Sequence, residues 1–400
     1  MANTLKFGAG QWATKEGSTL AYNDENDNFK PLPFDFTRAS SGTVVNKAGL
    51  IETVGNGIPR IDYKDDSKGA LLLEPASTNL FEYSEDFSVS YWLKLGVGSA
   101  SAPIVTADYA TSPDGTQNAT RVQFDAVGTS NADRSGLVRT FAFTTGQTYS
   151  ISCWVKSTNG TSQVIQFRIA GSQTSEEQTA TSEWKLYTAT FTATASTTDQ
   201  FGMQIRGINS VNESDILIYG MQLELLDYPT SYIPTQGSAV TRLADVCTNS
   251  GNDQVINSTE GVLYAEIKAL SEIGGNRYIS LSDGTDSNRI ILRFQDTDKV
   301  GCYVRSASGS DADITKTSAS ISLNFLKVAV KWKTNDVALW VNGVEVGVDS
   351  SFTTFNANVL NRLNLTGATT TTSQYFYGNV KDLKVYNTAL TDQELAALTS

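Results

Sequence analysis

The stretch LKVAVKWKTNDVALWVNGVEVG, residues 326–347, shows the pattern that decides the fold. Large apolar side chains recur at every second position in Leu326–Trp332 and again in Val337–Val341, which is typical of β-strands with one face in a core. Asn342-Gly343 can supply two positive-φ residues for a tight hairpin turn, so a further strand is predicted at Val344–Val346. The stretch therefore predicts an antiparallel sheet.

Similar strand-like runs, separated at short intervals by turn residues, fill the rest of the chain beyond about residue 76 and predict two β-sandwiches. A capping box, Thr391-Asp392-Gln393-Glu394, predicts one short helix at the C-terminal end. The remaining predicted strands are Arg121–Asp125, Leu137–Phe143, Tyr149–Lys156, Gln163–Ile169, Trp184–Ala193, Phe201–Arg206, Asp215–Glu224, Val262–Lys268, Tyr278–Leu281, Arg289–Phe294, Val300–Arg305 and Asn379–Tyr386.

Residues 1–75 contain a β-hairpin candidate, from Val44–Val45 to Leu50–Val54, but few large apolar side chains. We expect this region to be an anchor that other subunits stabilise, because it is too thin to form a core alone. The predicted fold class is all-β: the N-terminal anchor, a jelly-roll sandwich over residues 76–235, a polar linker over 236–260 and a second sandwich over 261–400.

Composition excludes several classes of function. The chain has 400 residues with a net charge of -12, and no basic stripe of the kind that binds nucleic acid or an anionic membrane. No apolar run is long enough to cross a bilayer, so membrane insertion is not expected. The N-terminal residues lack the apolar segment of a secretory signal, which favours synthesis in a bacterial cytoplasm without export by that route.

Histidine is absent, which excludes His-dependent nucleophile systems and His-ligated metal sites. Three cysteines do not form a disulfide framework, and Cys153 and Cys302 lie in alternating runs where they are expected to be buried. No nucleophile elbow, P-loop or dinucleotide fingerprint occurs. We therefore expect neither an enzyme nor a cofactor.

Two segments near the N-terminus resemble a sequence found across phage tail-fibre and head-fibre proteins. They are FDFTRASSGTVVNKAGLIETVGNGIPRIDY, residues 34–63, and LLLEPASTNLFEYSEDF, residues 71–87. The middle of the chain, with residues 149–157, 183–194 and 216–235, is similar to the carbohydrate-binding-module jelly rolls of those same proteins.

The last region resembles the concanavalin A-like, laminin-G-type sandwich, through residues 326–347 and through YGNVKDLKVYNTALTDQELAAL, residues 377–398. The E-x-D-x-x-E run of concanavalin-like hydrolases is not found. The resemblances together imply a phage virion fibre or decoration protein, a homotrimer that docks on capsid or tail proteins through residues 1–75 and adheres to cell-surface or mucus glycans. Two alternatives stay open: a purely structural virion protein that binds no sugar, and a polysaccharide depolymerase.

Strand alternation points to a first candidate sugar platform. Ile151, Cys153 and Val155 are expected to face the core, so Trp154 faces outward. An aromatic ring can stack on a pyranose while amides and guanidinium groups bind its hydroxyls, and arginine also suits acidic glycans. The alternative is that Trp154 lies under a loop or against another subunit. In neighbouring strands the same alternation places six side chains inward: Ile165, Phe167, Ile169, Phe201, Met203 and Ile205. If the strands share one sheet, Trp154 is joined on its outer face by Gln166, Arg168, Gln204 and Arg206.

A second platform is predicted in the last region, where Leu339 and Val341 face inward and Trp340 faces outward. The alternative is a subunit contact or ordinary surface aromatics, since aromatic residues also mark interfaces. The same alternation places four further residues on outer faces: Tyr264, Arg293, Tyr303 and Arg305.

Calcium is a further expectation, because the laminin-G resemblance implies that a site for this ion can be present. Its candidate ligands are four aspartates in loops, Asp283, Asp286, Asp296 and Asp298. The acidic loop of residues 23–28 could also bind calcium, but it lacks EF-hand spacing and is better explained as a solvated loop.

Overall fold

The structure is a computed structural model that describes residues 4–23, 28–169, 173–271, 275–295, 298–318, 323–369 and 374–400. Over these residues the chain is all-β with one short C-terminal helix, which confirms the predicted fold class. Contacts divide the chain into two compact units. The split unit comprises residues 1–48, 53–75 and 243–400, and the central unit comprises residues 49–52 and 76–242.

The first strands of the chain belong mainly to the split unit. They are β1 Leu5–Gly8, β2 Thr14–Lys15, β3 Ser18–Asn23, β4 Asn28–Thr37, β5 Gly42–Val45, β6 Ile51–Val54, β7 Arg60–Asp62 and β8 Ala70–Leu73. The strands of the central unit are β9 Ser77–Asn79, β10 Leu93–Val97, β11 Ser101–Ala110, β12 Ala119–Asp125, β13 Arg134–Phe143, β14 Thr148–Ser157, β15 Gln163–Ile165, β16 Phe167–Ile169, β17 Gln173–Thr174, β18 Gln178–Ala180, β19 Lys185–Thr192, β20 Thr197–Arg206, β21 Glu213–Glu224 and β22 Val240–Arg242.

The remaining elements complete the split unit. They are β23 Val246–Thr248, β24 Gly261–Ala269, β25 Arg277–Ser282, β26 Arg289–Gln295, β27 Lys299–Arg305, β28 Asp311–Thr317, β29 Leu326–Trp332, β30 Val337–Val341, β31 Val344–Asp349, β32 Arg362–Asn364, β33 Gly378–Tyr386 and the helix α1 Asp392–Thr399. Every strand predicted from alternation is present, although the predicted Gln163–Ile169 is divided between β15 and β16. The hairpin turn at Asn342-Gly343 has both residues at positive φ, 49° and 80°, as predicted.

The split unit is a sandwich of two large sheets. One sheet has the order β31-β30-β29-β24-β33-β8-β7, with β1 added on β33, and the other has the order β28-β27-β26-β25-β32. Inward rows of both sheets, such as Leu263, Val328 and Leu339 facing Ile279 and Leu292, form one continuous apolar core. A smaller sheet, β2-β3-β4-β23, belongs to the same unit.

The N-terminal residues do not form a separate region, so the expected division at residue 75 is corrected. Strand β1 pairs with β33, with Leu5 opposite Val385, and β8 pairs with the same strand. Phe7 and Leu73 lie in the core shared with residues 243–400. Large apolar side chains are few here because these strands complete a sandwich whose other strands come later in the chain.

The expected polar linker over residues 236–260 is also corrected, since it contains two paired strands. Strand β22 pairs with β9 in the central unit, and β23 pairs with β4 in the split unit. These short pairings were missed because strands of three residues carry too little alternation to be recognised.

The central unit is a second sandwich, with sheets ordered β10-β13-β20-β16-β17 and β11-β12-β21-β14-β19. Cysteines 153, 247 and 302 are all free and buried, as expected for two of them. Among the described residues, no helix has the length and apolar character needed to cross a membrane. The side chains predicted to face inward do form the core of the central unit: Ile151, Cys153, Val155, Ile165, Phe167, Ile169, Phe201, Met203 and Ile205.

Candidate functional site

The structure does not assemble the first predicted platform. Trp154 lies in β14, opposite Tyr219 of β21 and Leu186 of β19, and is half-buried. The four polar partners belong to the opposite sheet of the central unit, around β16 and β20. Alternation predicted correctly that Trp154 leaves the core, but it could not say which sheet each strand joins.

The four polar residues do share one outer face, but the expectation that they are exposed is wrong. Gln166, Arg168, Gln204 and Arg206 are 8%, 3%, 1% and 7% exposed. Neighbouring loops reach them: Asn209 donates to Gln166, and Arg206 donates to the backbone and side-chain oxygens of Asn131. They therefore form a buried polar layer rather than an open stacking surface.

Trp340 faces away from the core as predicted, but it is covered. Helix α1 packs its Leu395 into an apolar cluster with Trp340 and Tyr264, and Trp340 is only 7% exposed. The expectation of an open platform at Trp340 and Tyr264 is wrong, because alternation reports which face of a sheet a residue occupies and not what lies over it.

Three of the other predicted residues share one outer face, and two of them, Arg293 and Tyr303, line the same concave site. Arg293, Tyr303 and Arg305 lie on the outer face of the five-stranded sheet, with Tyr303 opposite both Ile291 and Asp313 on its neighbouring strands. A concave site of about 220 Å³, which we call the tyrosine groove, opens on this face. Its lining residues are Tyr278, Arg289, Ile291, Arg293, Tyr303, Asp313 and Gln374.

The Tyr303 ring lines the groove and is half-buried. The guanidinium carbons of Arg289 and Arg293 lie 5.2 Å and 5.6 Å from its centroid, within the range of cation–π attraction. Arg293 also pairs with Asp313 at 2.5 Å, and Arg289 pairs with Asp286. Each cation of the groove is thus matched by a carboxylate, so the charge of the site is close to balanced.

The groove retains unused hydrogen-bonding capacity. The Nε atoms of Arg289 and Arg293, two of the lining residues, are buried without a hydrogen-bond partner among the described residues. Unsatisfied buried donors are uncommon in folded proteins, and a bound polar ligand is one explanation for them.

The three candidate calcium ligands that the structure describes are not grouped as ligands of one ion. The Asp283 carboxylate accepts from Thr285 and Asn288 within its own loop, which helps to lower its pKa although burial opposes the shift, and Asp286 is paired with Arg289. Asp298 lies in the turn before β27. Asp296 and residues 24–27 of the acidic loop lie outside the described residues. Within the described ranges, no three acidic or cysteine side chains are grouped as metal ligands would be.

Sequence reasoning missed a second concave site, a cleft of about 460 Å³ in the central unit that Glu85 and Asn118 help to line. The Tyr219 hydroxyl lies 3.2 Å from Glu85 Oε1 and 3.1 Å from Asp114 Oδ2. Burial raises the pKa of Glu85, whereas donors from Thr116 and Ser112 lower the pKa of Asp114 against the effect of burial. No spacing in the sequence pairs these two carboxylates, since only the fold brings them together.

Comparison with known proteins agrees with the laminin-G resemblance. Residues 251–396 match the family described as the concanavalin A-like lectin/glucanases superfamily, over somewhat more than a third of the chain. No curated protein matches the chain.

Several solved structures are similar to part of the chain. The CBM40 domain of the Ruminococcus gnavus IT-sialidase, bound to α2,3-sialyllactose, is 22% identical and covers 36% of this chain and 83% of its own, with a TM-score of 0.30. Domain 4 of AbnA, a GH43 extracellular arabinanase from Geobacillus stearothermophilus in complex with arabinotriose, is 15% identical and covers 44% and 83%, with a TM-score of 0.32. A heptameric SAP-like pentraxin from Limulus polyphemus is 13% identical and covers 36% and 71%, with a TM-score of 0.30. At these identities and TM-scores, the likenesses assign no ligand to this chain.

Proposed function

We propose that this protein is a non-enzymatic glycan-binding protein whose split unit holds neutral sugars in the tyrosine groove. The observation that carries the proposal is the half-buried Tyr303 ring, flanked by two guanidinium groups in a concave site. This site lies within residues that match a lectin/glucanase family. The family match supports the fold, whereas the ligand is inferred from the residues of the groove.

The groove has the two kinds of contact that a sugar needs. The Tyr303 ring can stack on the apolar face of a pyranose, and the unused Arg289 and Arg293 Nε donors can bind ring hydroxyls. Because both arginines are already paired with carboxylates, the groove favours an uncharged ligand over an acidic one. A site this shallow would bind weakly, and several copies on one particle would raise the overall affinity.

The test is a glycan array followed by calorimetric titration of the best neutral ligand. We expect Tyr303→Ala to weaken binding at least tenfold, since stacking of an aromatic ring is lost. Tyr109→Ala is the matched control, because Tyr109 is an exposed tyrosine that also carries a guanidinium over its ring, in the central unit. Equal affinities for the wild type and Tyr303→Ala would show that the sugar does not bind in the groove.

The non-enzymatic part of the proposal rests on the groove's chemistry. Asp313 is the one carboxylate among its lining residues, whereas glycoside hydrolysis usually needs two. A carboxylate pair beside the other concave site, Glu85 and Asp114, lies in the central unit and is the first candidate for a catalytic pair. Release of reducing ends from a polysaccharide by the wild type, abolished in Glu85→Gln, would show that the protein is a depolymerase.

We also propose that the protein acts on a phage virion, as a fibre or decoration protein that adheres to host or mucus glycans. The support is the resemblance of residues 34–63 and 71–87 to phage fibre proteins. Residues 1–75 would dock on capsid or tail proteins, and the assembly would be a homotrimer. Mass spectrometry of purified particles tests the location, and light scattering of the full-length protein tests the trimer, which a stable monomer would contradict. A silent glycan array combined with a confirmed trimer would favour a purely structural role instead.

A further inference from the structure

Three arginines gather on the outer face of the sheet β10-β13-β20-β16-β17 in the central unit, and we call them the arginine cluster. Arg134 of β13 lies directly opposite Arg206 of β20, and Arg168 of β16 lies opposite Gly202 of the same β20 strand. Positions 202, 204 and 206 share one face, so all three guanidinium groups leave the sheet on the side away from the core. This is a local concentration of positive charge in a chain whose net charge is -12.

Among the described residues, Arg134 lacks the carboxylate partner that each arginine of the tyrosine groove has. Asp199 pairs with Arg168 Nη2 at 2.9 Å. In the described part of the chain the Arg134 side chain forms no ion pair or hydrogen bond, although its backbone pairs with the neighbouring strands. Burial and the neighbouring arginines lower the pKa of Arg134 and of Arg206, which shows the cost of placing the three cations together.

Specific donors are left free on two of the arginines. The Nε and Nη1 atoms of Arg168 and the Nε atom of Arg134 are buried and have no hydrogen-bond partner among the described residues. Arg168 is almost completely buried, whereas Arg134 is half-buried and gives the cluster an approach from solvent. A buried charged donor without a partner costs free energy that an anion bound at the same place would recover.

Arg206 is held rigidly beside them. Its Nη1 atom donates to the backbone oxygen of Asn131 at 3.1 Å and to its side-chain oxygen at 2.7 Å. With the amide oxygen of Gln204 turned toward it, Nε and Nη2 donate to that oxygen at 2.7 Å and 3.2 Å. Gly136, opposite Gln204, places no side chain over the face between the strands.

We propose that the arginine cluster binds the carboxylate of an acidic sugar. A carboxylate matches the planar fork of a guanidinium group and can accept two of its N–H donors at once. The site is separate from the tyrosine groove in residues, in unit and in charge, so it does not depend on that groove binding sugar.

The experiment is calorimetric titration of the full-length protein at low salt with three probes. They are trigalacturonic acid, its methyl ester, which has the same sugar ring without the charge, and inorganic phosphate. We expect binding of the acid, at least tenfold weaker binding of the ester, and a loss of affinity for the acid at high salt. Phosphate binding as tight as that of the acid would show that the site takes a free anion, and would overturn the assignment of a sugar.

Two substitutions in one strand locate the site. Arg134→Gln removes a half-buried charge from the cluster, and we expect affinity for trigalacturonic acid to fall at least tenfold. Arg139→Gln is the matched control, since Arg139 is a half-buried arginine of β13 that stacks on Tyr91 instead. If Arg134→Gln does not fold, Arg134→Lys keeps the charge but loses the planar fork, and a several-fold loss is expected. Unchanged affinity in a folded Arg134 variant would overturn the proposal.

The tyrosine groove provides the remaining control. We expect Tyr303→Ala to retain full affinity for trigalacturonic acid, whatever it does to neutral glycans. If Tyr303→Ala abolishes binding of the acid, the acidic sugar occupies the groove and the arginine cluster is not its site. If neutral glycans bind nowhere while binding of the acid depends on Arg134, the function proposed for the groove fails and this inference stands.

Discussion

A network of four buried charged side chains accounts for several of the charged positions in the two segments that resemble phage fibre proteins. Arg38 lies 3.0 Å from Asp245, and Arg60 lies 2.5 Å from Asp245 and 2.6 Å from Glu74, with all four side chains almost fully buried. The backbone N–H of Glu74 also donates to Asp245 at 2.8 Å. Three of these residues lie in the two quoted segments, so the charged positions there are structural and join distant parts of the split unit.

Substitution of Asp245, which contacts both arginines, is predicted to lower the free energy of unfolding. Asp245→Asn leaves the Arg38 and Arg60 guanidinium groups in a dry environment with one carboxylate fewer, and loss of a partner from a buried ion pair typically costs about 3–5 kcal/mol. Urea denaturation of the full-length variant measures the change. Asp311→Asn is the control, because its pairing with Arg305 is half exposed at 3.7 Å and such pairs contribute about 0–1 kcal/mol. Similar losses in both variants would show that burial of the network is unimportant.

The pH dependence of stability reports on Glu85. Burial raises its pKa, although the Tyr232 and Tyr219 hydroxyls oppose the shift. The folded state therefore binds the Glu85 proton more tightly than the unfolded state, so this contribution is fully present below the ordinary glutamate pKa of about 4.3 and is lost as pH rises through the folded value. We expect the stability of the wild type relative to Glu85→Gln to fall as pH increases from 4 to 7.

Asp215 is expected to change the stability with pH in the opposite direction. Its hydrogen bonds with Arg121 lower its pKa, so its contribution is present above the ordinary aspartate pKa of about 3.9 and is lost as pH falls. The stability of the wild type relative to Asp215→Asn should therefore rise as pH increases from about 2 to about 4 and change little above that range. Urea midpoints at several pH values measure both differences, and slopes of the same sign would contradict the two assignments.

At the scale of elements, helix α1 covers part of the outer face of the larger sheet. Its N-cap Thr391 accepts from the Glu394 backbone while Glu394 reaches back to Thr391, the capping box that the sequence predicts. Leu395 then packs on Trp340 and Tyr264. An eight-residue helix is too short to be stable alone, so it exists because it covers this apolar strip.

Leu395→Ala is therefore predicted to destabilise the split unit. Leu395 is fully buried, and truncation of a buried leucine to alanine costs about 2–5 kcal/mol. Tryptophan fluorescence should also shift toward longer wavelengths as water reaches Trp340. The control is the same substitution at Leu323, which is 41% exposed and should change the urea midpoint little. Equal effects at both positions would mean that the helix does not seal the strip.

Alternation in the sequence was enough to predict the strands and their core faces, because each buried row repeats at period two. Met203 and Leu339 show this, since both lie in cores as predicted. What covers an outer face depends on elements far away in sequence: Trp340 lies under α1, and Gln166 lies under loops. Tyr303 remained open, so for this residue the sequence prediction of an outer face matched a concave site.

At the scale of the whole molecule, the chain enters and leaves the central unit at neighbouring points of the split unit. The backbone N–H of Asp245 donates to the backbone oxygen of Glu74 at 2.9 Å. Within the central unit, β9 and β22 pair antiparallel, so that Ser77 lies opposite Arg242. Residues 76–242, which form most of the central unit, are thus an insertion in a sandwich that is discontinuous in sequence. No local pattern in the sequence could reveal this.

This arrangement predicts that each unit folds without the other. Replacing residues 76–242 with a short Gly-Ser linker should leave a protein that unfolds cooperatively and keeps the neutral-sugar affinity of the tyrosine groove, because the two ends are already within hydrogen-bonding distance. Residues 76–242 alone should fold and keep the affinity for trigalacturonic acid. Circular dichroism, urea denaturation and calorimetric titration of both proteins measure these outcomes. A shortened chain that folds but loses neutral-sugar binding would show that the groove needs the central unit, and an unfolded residue 76–242 fragment would show that the insertion depends on its host.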